Sequence, residues 1–172
     1  MPEFLKRYVC FVEAISRRVG RAAMYLIFVL MAILIYSSVS KALGDIVLLP
    51  AQWTLEMAQF VMVAYYILGG PYSMQQGEHV RMDLVYANWS PRTKAIVDCL
   101  TVGFLLFYLG VLLYGGVVST TYAIEYNERS YSAWAPYMAP IKIIMCIGVV
   151  LMILQTTAVM LKDFARARGL ES

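Results

Sequence analysis

The chain predicts an all-α integral membrane protein. Four transmembrane helices, both termini cytoplasmic, are preceded by an interfacial amphipathic helix. Three observations carry this. Charged residues make up 15% of the 172 and apolar types 61%, against about 25% charged in an ordinary soluble domain. The charges leave four long gaps: 19 residues between Arg21 and Lys41, 21 between Glu56 and Glu78, 26 between Asp98 and Glu125, and 19 between Lys142 and Lys162. A helix of about 19 residues is roughly 28 Å long, close to the bilayer hydrocarbon thickness of about 30 Å. Finally, eleven of the 14 basic residues fall on one side of such a topology. They are Lys6, Arg7, Arg17, Arg18 and Arg21 before the first gap, Arg81, Arg92 and Lys94 between the second and third, and Lys162, Arg166 and Arg168 after the fourth. Lys41, Arg129 and Lys142 remain for the other side. The positive-inside rule makes the richer side cytoplasmic. Trp53 and Trp134 then fall at the outer boundary and Trp89 at the inner one, where amphipathic rings prefer to sit.

The elements follow in order within a single membrane domain, residues 1–172. Over residues 4–20, Phe4, Tyr8, Phe11, Val12, Ile15 and Val19 share an arc about 100° wide, with Lys6, Arg7, Glu13, Arg17 and Arg18 elsewhere on the wheel. That pattern predicts a helix lying in the cytoplasmic interface and favouring anionic lipid; the alternative is an extension of the first membrane helix. The first membrane helix is expected over residues 22–40. Ser38 and Ser40 imitate a signal-peptide cleavage site, but the apolar stretch exceeds the usual h-region of about 7–15 residues. The second helix is expected over residues 53–72, after Pro50 and ended by Gly69-Gly70-Pro71. Ser90-Pro91 reads as N-cap and first residue of the third helix, with Lys94 and Asp98 one turn apart. Its membrane part is residues 99–124, and continuity from Pro91 would require tilt. The fourth, over residues 141–161, begins at Pro140.

Several chemistries are excluded by composition. Transmembrane barrel strands would give short alternating segments. The basic residues sit at membrane edges, which a bilayer explains better than nucleic acid. Cys10, Cys99 and Cys146 form no Cys-x-x-Cys pair, so neither a disulfide nor quinone-linked thiol chemistry is expected. His79 is the only histidine, which leaves haem without two histidine ligands and zinc without a ligand set. No P-loop occurs, no nucleophile–base pair stands out, and no cofactor or enzymatic activity is expected.

The polar residues offer few alternatives. Glu56, three residues after Trp53, is an acid in a membrane helix and so a functional candidate by default. It also occupies a first turn, where a negative charge suits the helix dipole, so a structural role competes. Gly103 and Gly110 lie two turns apart, while Gly115 with Ser119 and Gly116 with Thr120 have small-x-x-x-small spacing. These serve helix packing within the chain or against a partner, and the sequence does not choose. Gln155, Thr156 and Thr157 are placed to hydrogen-bond across helices. The densest polar stretch, residues 77–84, alternates His79, Arg81 and Asp83 with Val80, Met82 and Leu84, as a structural turn or a docking strip.

Trp53-x-x-Glu56, then Gly77-x-His79-Val80-Arg81-x-Asp83, then Ser90-Pro91-Arg92, in this order, resembles the small membrane (Q) subunit of TRAP transporters, the tripartite ATP-independent periplasmic transporters of bacteria and archaea. Asn127-Glu128-Arg129-Ser130, Trp134-Ala135-Pro136 and Pro140-Ile141-Lys142 also look like a pattern seen in part of that family. The resemblance implies a multi-pass protein of the cytoplasmic (inner) membrane and two partners: a large membrane subunit (M) and a periplasmic substrate-binding protein (P). In that family the soluble protein captures an organic acid and the large subunit moves it by an elevator motion coupled to sodium. The small subunit braces the scaffold and helps docking. Trp53, Glu56, Gly77, His79, Arg81 and Asp83 are then expected to serve fold or subunit contact. From topology, Asp45, Glu125, Glu128 and Arg129 are expected at the docking rim. Membrane lipid is the further partner. The competing expectation is an autonomous dimeric four-helix exporter, similar to the small multidrug exporters, trading protons for a cation at Glu56. Those proteins carry their acid in the first helix, where this chain has no charge.

Overall fold

The structure is a computed structural model that describes residues 3–42, 52–76 and 91–167. The described residues form four helices: α1 (Glu3–Ala42), α2 (Trp53–Gln76), α3 (Pro91–Glu125) and α4 (Ala139–Ala167). Three of them, Glu3–Ala42, Leu100–Glu125 and Ala139–Lys162, are long and apolar enough to cross a membrane. The fourth, α2, is diluted by Glu56, Gln59, Tyr65, Tyr66, Tyr72, Gln75 and Gln76. It packs on α1 along one side and on α4 along another.

In place of separate elements over residues 4–20 and 22–40, the structure has one unbroken helix of 40 residues, about 60 Å long. A single stripe explains its continuity. Val9, Val12, Ser16, Gly20 and Ala23 are buried, Leu26, Leu30 and Ile33 half-buried, and Ser37 and Ser40 buried again. Spacings of three and four keep all of them on one face. Phe4 and Phe11, on the arc expected to face the membrane interface, are exposed and take no part in this stripe. Tertiary contacts set the buried face on the small residues, because those let neighbouring backbones approach.

Small residues also set the contacts between helices. Gly20 lies against Tyr72: a Cβ there would overlap Tyr72 Cβ and come within 2.5 Å of Tyr72 Cγ. Ser37 and Thr54 are hydrogen-bonded at 3.1 Å at the opposite end of the α1–α2 pair, which is therefore antiparallel. Helices α2 and α4 run parallel, with Ile67 beside Gly148, Gly70 beside Met152 and Met74 beside Thr156. The start of α1 and the end of α4 consequently meet at one end of the molecule. There Val9, Val12 and Ala158 form a buried apolar cluster, flanked by Tyr8, Leu154 and Leu161.

Helix α2 continues through Pro71 to Gln76 instead of ending at Gly69-Gly70-Pro71. Proline brings no N–H for the carbonyl four residues earlier, which is Ile67. At that position α4 presents Gly148, whose Cβ would lie 3.1 Å from the Ile67 carbonyl oxygen. Packing on both sides of α2 holds the helix through a residue that would end an isolated one.

Candidate functional site

At the start of α2, Trp53 stacks on Tyr36 with centroids 5.7 Å apart and planes inclined by 30°. Thr54 is buried and tied to Ser37. Glu56 follows, half-buried in the first turn, with Oε2 buried and without a hydrogen-bond partner. The motif thus splits: its aromatic and hydroxyl fasten α2 to α1, while the carboxylate is supported by the helix dipole. The other motif residues, Gly77, His79, Arg81 and Asp83, lie outside the described residues, as do Asp45 and Trp89.

The turn between α3 and α4 is closed by its own backbone. Glu128 N donates to Ala123 O, Met138 N to Glu128 O and Ser130 N to Pro136 O, each at 3.0 Å. Arg129 and Tyr137 form an antiparallel bridge. Asn127 and Ala135 adopt positive φ of 48° and 46°. For Ala135 this conformation costs roughly 1–2 kcal/mol, and hydrogen bonds from its N–H to Ser132 hold it there. Arg129 donates to Tyr137 OH at 2.5 Å, its guanidinium 4.3 Å from the ring centroid. Glu128 pairs with Lys142 at 2.5 Å, and Lys142 also donates to the Ser119 carbonyl at 3.5 Å.

Of the charges expected at a docking rim, Glu125 is exposed, but Glu128 faces inward to Lys142 and Arg129 is engaged by Tyr137. What the turn presents is aromatic. Tyr122, Tyr126, Tyr131, Trp134 and Tyr137 are all exposed. Their density within 16 residues was readable in the sequence, as a patch enriched in the residue types that anchor protein contacts. Replacing Glu128 with glutamine is expected to cost about 1 kcal/mol or less, because the pair is only partly buried. Thermal melting of the purified chain checks this, and a loss of several degrees would show that the pair clamps the turn.

The glycine candidates divide sharply. Gly116 faces α4, with Cys146 Sγ 3.2 Å from where its Cβ would be, and Thr120 beside it bonds back to the Gly116 carbonyl at 2.7 Å. A Cβ at Gly103, Gly110 or Gly115 would meet nothing within 4 Å, and Ser119 is exposed. Helix α3 packs on α4 and has no comparable contact with α1 or α2. Along its free side, Gly103, Phe107, Gly110, Tyr114, Val117 and Thr121 recur at alternating intervals of four and three, all exposed, with Phe107 at 72% and Tyr114 at 76%. This is the spacing of a helix-packing seam, with small residues as holes between large knobs. Beside it a groove of about 290 Å³ opens among α2, α3 and α4, lined by Ile67, Tyr108, Leu112, Gly115, Met145 and Val149.

The polar residues of α4 are glue between helices. Gln155 is fully buried and its Oε1 accepts from Ser16 Oγ at 2.9 Å. Thr157 and Tyr8 hydroxyls are 2.9 Å apart, and Lys162 pairs with Glu13. Among the described residues no three His, Cys, Asp or Glu side chains gather as a metal site. A family model described as the DctQ component of tripartite ATP-independent periplasmic transporters matches residues 30–166. No curated protein and no solved structure matches the chain.

Proposed function

The chain belongs to the DctQ family of tripartite ATP-independent periplasmic transporters, and from that membership we propose that it is the small permease subunit of a sodium-coupled carrier for an organic acid. The family is one of transporter components and not an enzyme class. In this reading the chain braces the scaffold of the large membrane subunit and helps dock the periplasmic substrate-binding protein. All four helices cross the inner membrane with both termini cytoplasmic; the basic residues support that orientation, and the packing of α2 on α1 and α4 carries it across with them. The aromatic turn between α3 and α4 then faces the periplasm, with Glu125 at its edge.

The observation that carries the bracing role is the unused seam on α3. Glycine lowers helix stability by about 1 kcal/mol relative to alanine. Gly103 and Gly110 accept that in a helix where neither touches another part of the chain. A second helix seated on the seam supplies the close packing that makes them useful. The autonomous exporter gains no support from the family, and Glu56 sits in a first turn instead of at depth.

Co-expression of the tagged chain with the large membrane subunit of its own transporter tests the reading. Stoichiometric co-purification is expected. Gly110→Leu should lower recovery of the large subunit roughly tenfold or more without lowering the melting of the chain itself, since a Cβ there meets nothing within 4 Å among the described residues. Unchanged recovery with Gly110→Leu would remove the seam as the contact. Absence of the large subunit from the wild-type preparation would remove the subunit role.

A further inference from the structure

The amino-terminal half of α1 carries Arg17, Arg18 and Arg21, all exposed, on the side away from the buried stripe. Their level along the bundle is set by their neighbours. Ser16 bonds to Gln155, and Gly20 lies against Tyr72. Gln155 precedes Lys162 by seven residues, about 10 Å of helix, and no charge intervenes in α4. The three arginines therefore stand beside a stretch where α4 carries no charge and its polar side chains, Gln155, Thr156 and Thr157, are engaged within the protein. Guanidinium groups are not left facing hydrocarbon at such a level.

The same face changes character directly above them. Arg17, Arg21, Met24, Phe28, Met31 and Ile35 follow one another at intervals of four and three, all exposed. From Met24 to Ile35 is roughly 16 Å of helix, the depth of one leaflet's hydrocarbon, half of about 30 Å. The only acid in α1 beyond Glu3 is Glu13, and its charge is paired with Lys162.

We propose that the Arg17–Arg18–Arg21 face of α1 binds the phosphate of an anionic phospholipid, whose acyl chain lies along Met24, Phe28 and Ile35. Charge complementarity selects the ligand. Guanidinium groups donate paired hydrogen bonds to phosphate oxygens, and a lipid with a net negative head leaves their charge compensated where a zwitterionic one does not. The apolar strip selects a lipid over free phosphate. On the proposed orientation this is the cytoplasmic leaflet, but the site stands independently of the family role.

Native mass spectrometry of the purified full chain, titrated with dioleoyl phosphatidylglycerol or dioleoyl phosphatidylcholine, tests this. The wild type is expected to bind phosphatidylglycerol on the order of tenfold or more tighter, a preference that shrinks as salt rises. Arg17→Gln/Arg18→Gln/Arg21→Gln should abolish the preference, and the corresponding triple lysine variant should keep most of it. Equal binding of the two lipids by the wild type, or a preference surviving in the glutamine variant, overturns the proposal. Should the glutamine variant fail to fold, a wild-type preference indifferent to salt overturns it equally. So does a preference that vanishes in the complex with the large subunit, which would give the arginines to that subunit's carboxylates.

Discussion

Replacing Gly148 with valine is expected to destabilise the chain by roughly 3 kcal/mol or more, at the upper end of overpacking effects. That corresponds to a fall on the order of 10 °C in the melting midpoint of the detergent-solubilised protein. The first added carbon would overlap Ile67 Cγ2 and approach the Ile67 carbonyl carbon to 3.3 Å. A side chain can rotate away, but the carbonyl belongs to the backbone of α2, and Pro71 one turn later limits how that backbone adjusts. Gly148→Ala should cost less, and Ile67→Ala in the same chain should recover part of the loss, because only the methyl overlap is relieved. A midpoint for Gly148→Val within about 2 °C of wild type would mean that α2 and α4 are not in contact at this position.

Gly20→Leu is expected to separate the amino-terminal half of α1 from the rest. A Cβ at residue 20 would collide with Cβ and Cγ of Tyr72; the ring can rotate, but the Tyr72 Cβ cannot swing clear without moving α2. The contacts below depend on that approach: Ser16 to Gln155, Tyr8 to Thr157, and Glu13 to Lys162. With α1 displaced, Gln155 loses the partner of its buried Oε1, which costs roughly 1–3 kcal/mol in addition to the steric term. Limited trypsin digestion gives the readout, since Arg17, Arg18 and Arg21 are exposed but helical in the wild type. Rapid cleavage there in Gly20→Leu, slowed again by adding Tyr72→Gly, which alone removes the overlapping Cβ, is the expected pattern. If cleavage is unchanged in the single variant, residues 3–20 are not held by this contact.

That the charge-free runs are helical, and where two of these helices begin, was legible because both depend on local chemistry. Charge-free runs identify segments that belong in hydrocarbon wherever they pack, and Pro91 starts a helix whatever lies beside it. Punctuation failed where packing overrode it. Gly69-Gly70-Pro71 reads as a stop, yet α2 continues to Gln76 because it is packed on two sides. The wheel over residues 4–20 identified a helix and an apolar arc with Phe4 and Phe11, but not the separate face, with Val9, Ser16 and Gly20, that the structure buries. A wheel ranks residues by hydrophobicity, and next to other helices it is size that decides which face is used.

The candidate site divides along the same line. The family was determined by the sequence, since motif order is a property of the chain. Gly103, Gly110, Gly115 and Gly116 were equally visible as small residues, and nothing local separated them. Only the placement of α3 on α4 turned Gly116 inward against Cys146 and left Gly103 and Gly110 facing outward. Glu128 and Arg129 were legible as charges of this turn, but their partners, Lys142 and Tyr137, were set only when the turn closed. The sequence by itself determined which segments are helical, which are apolar and which family they form, because these follow from side-chain chemistry and local backbone preference. The tertiary structure alone decided which face of each helix is spent on the chain's own core, because that depends on backbones approaching within a few ångströms across residues far apart in the chain.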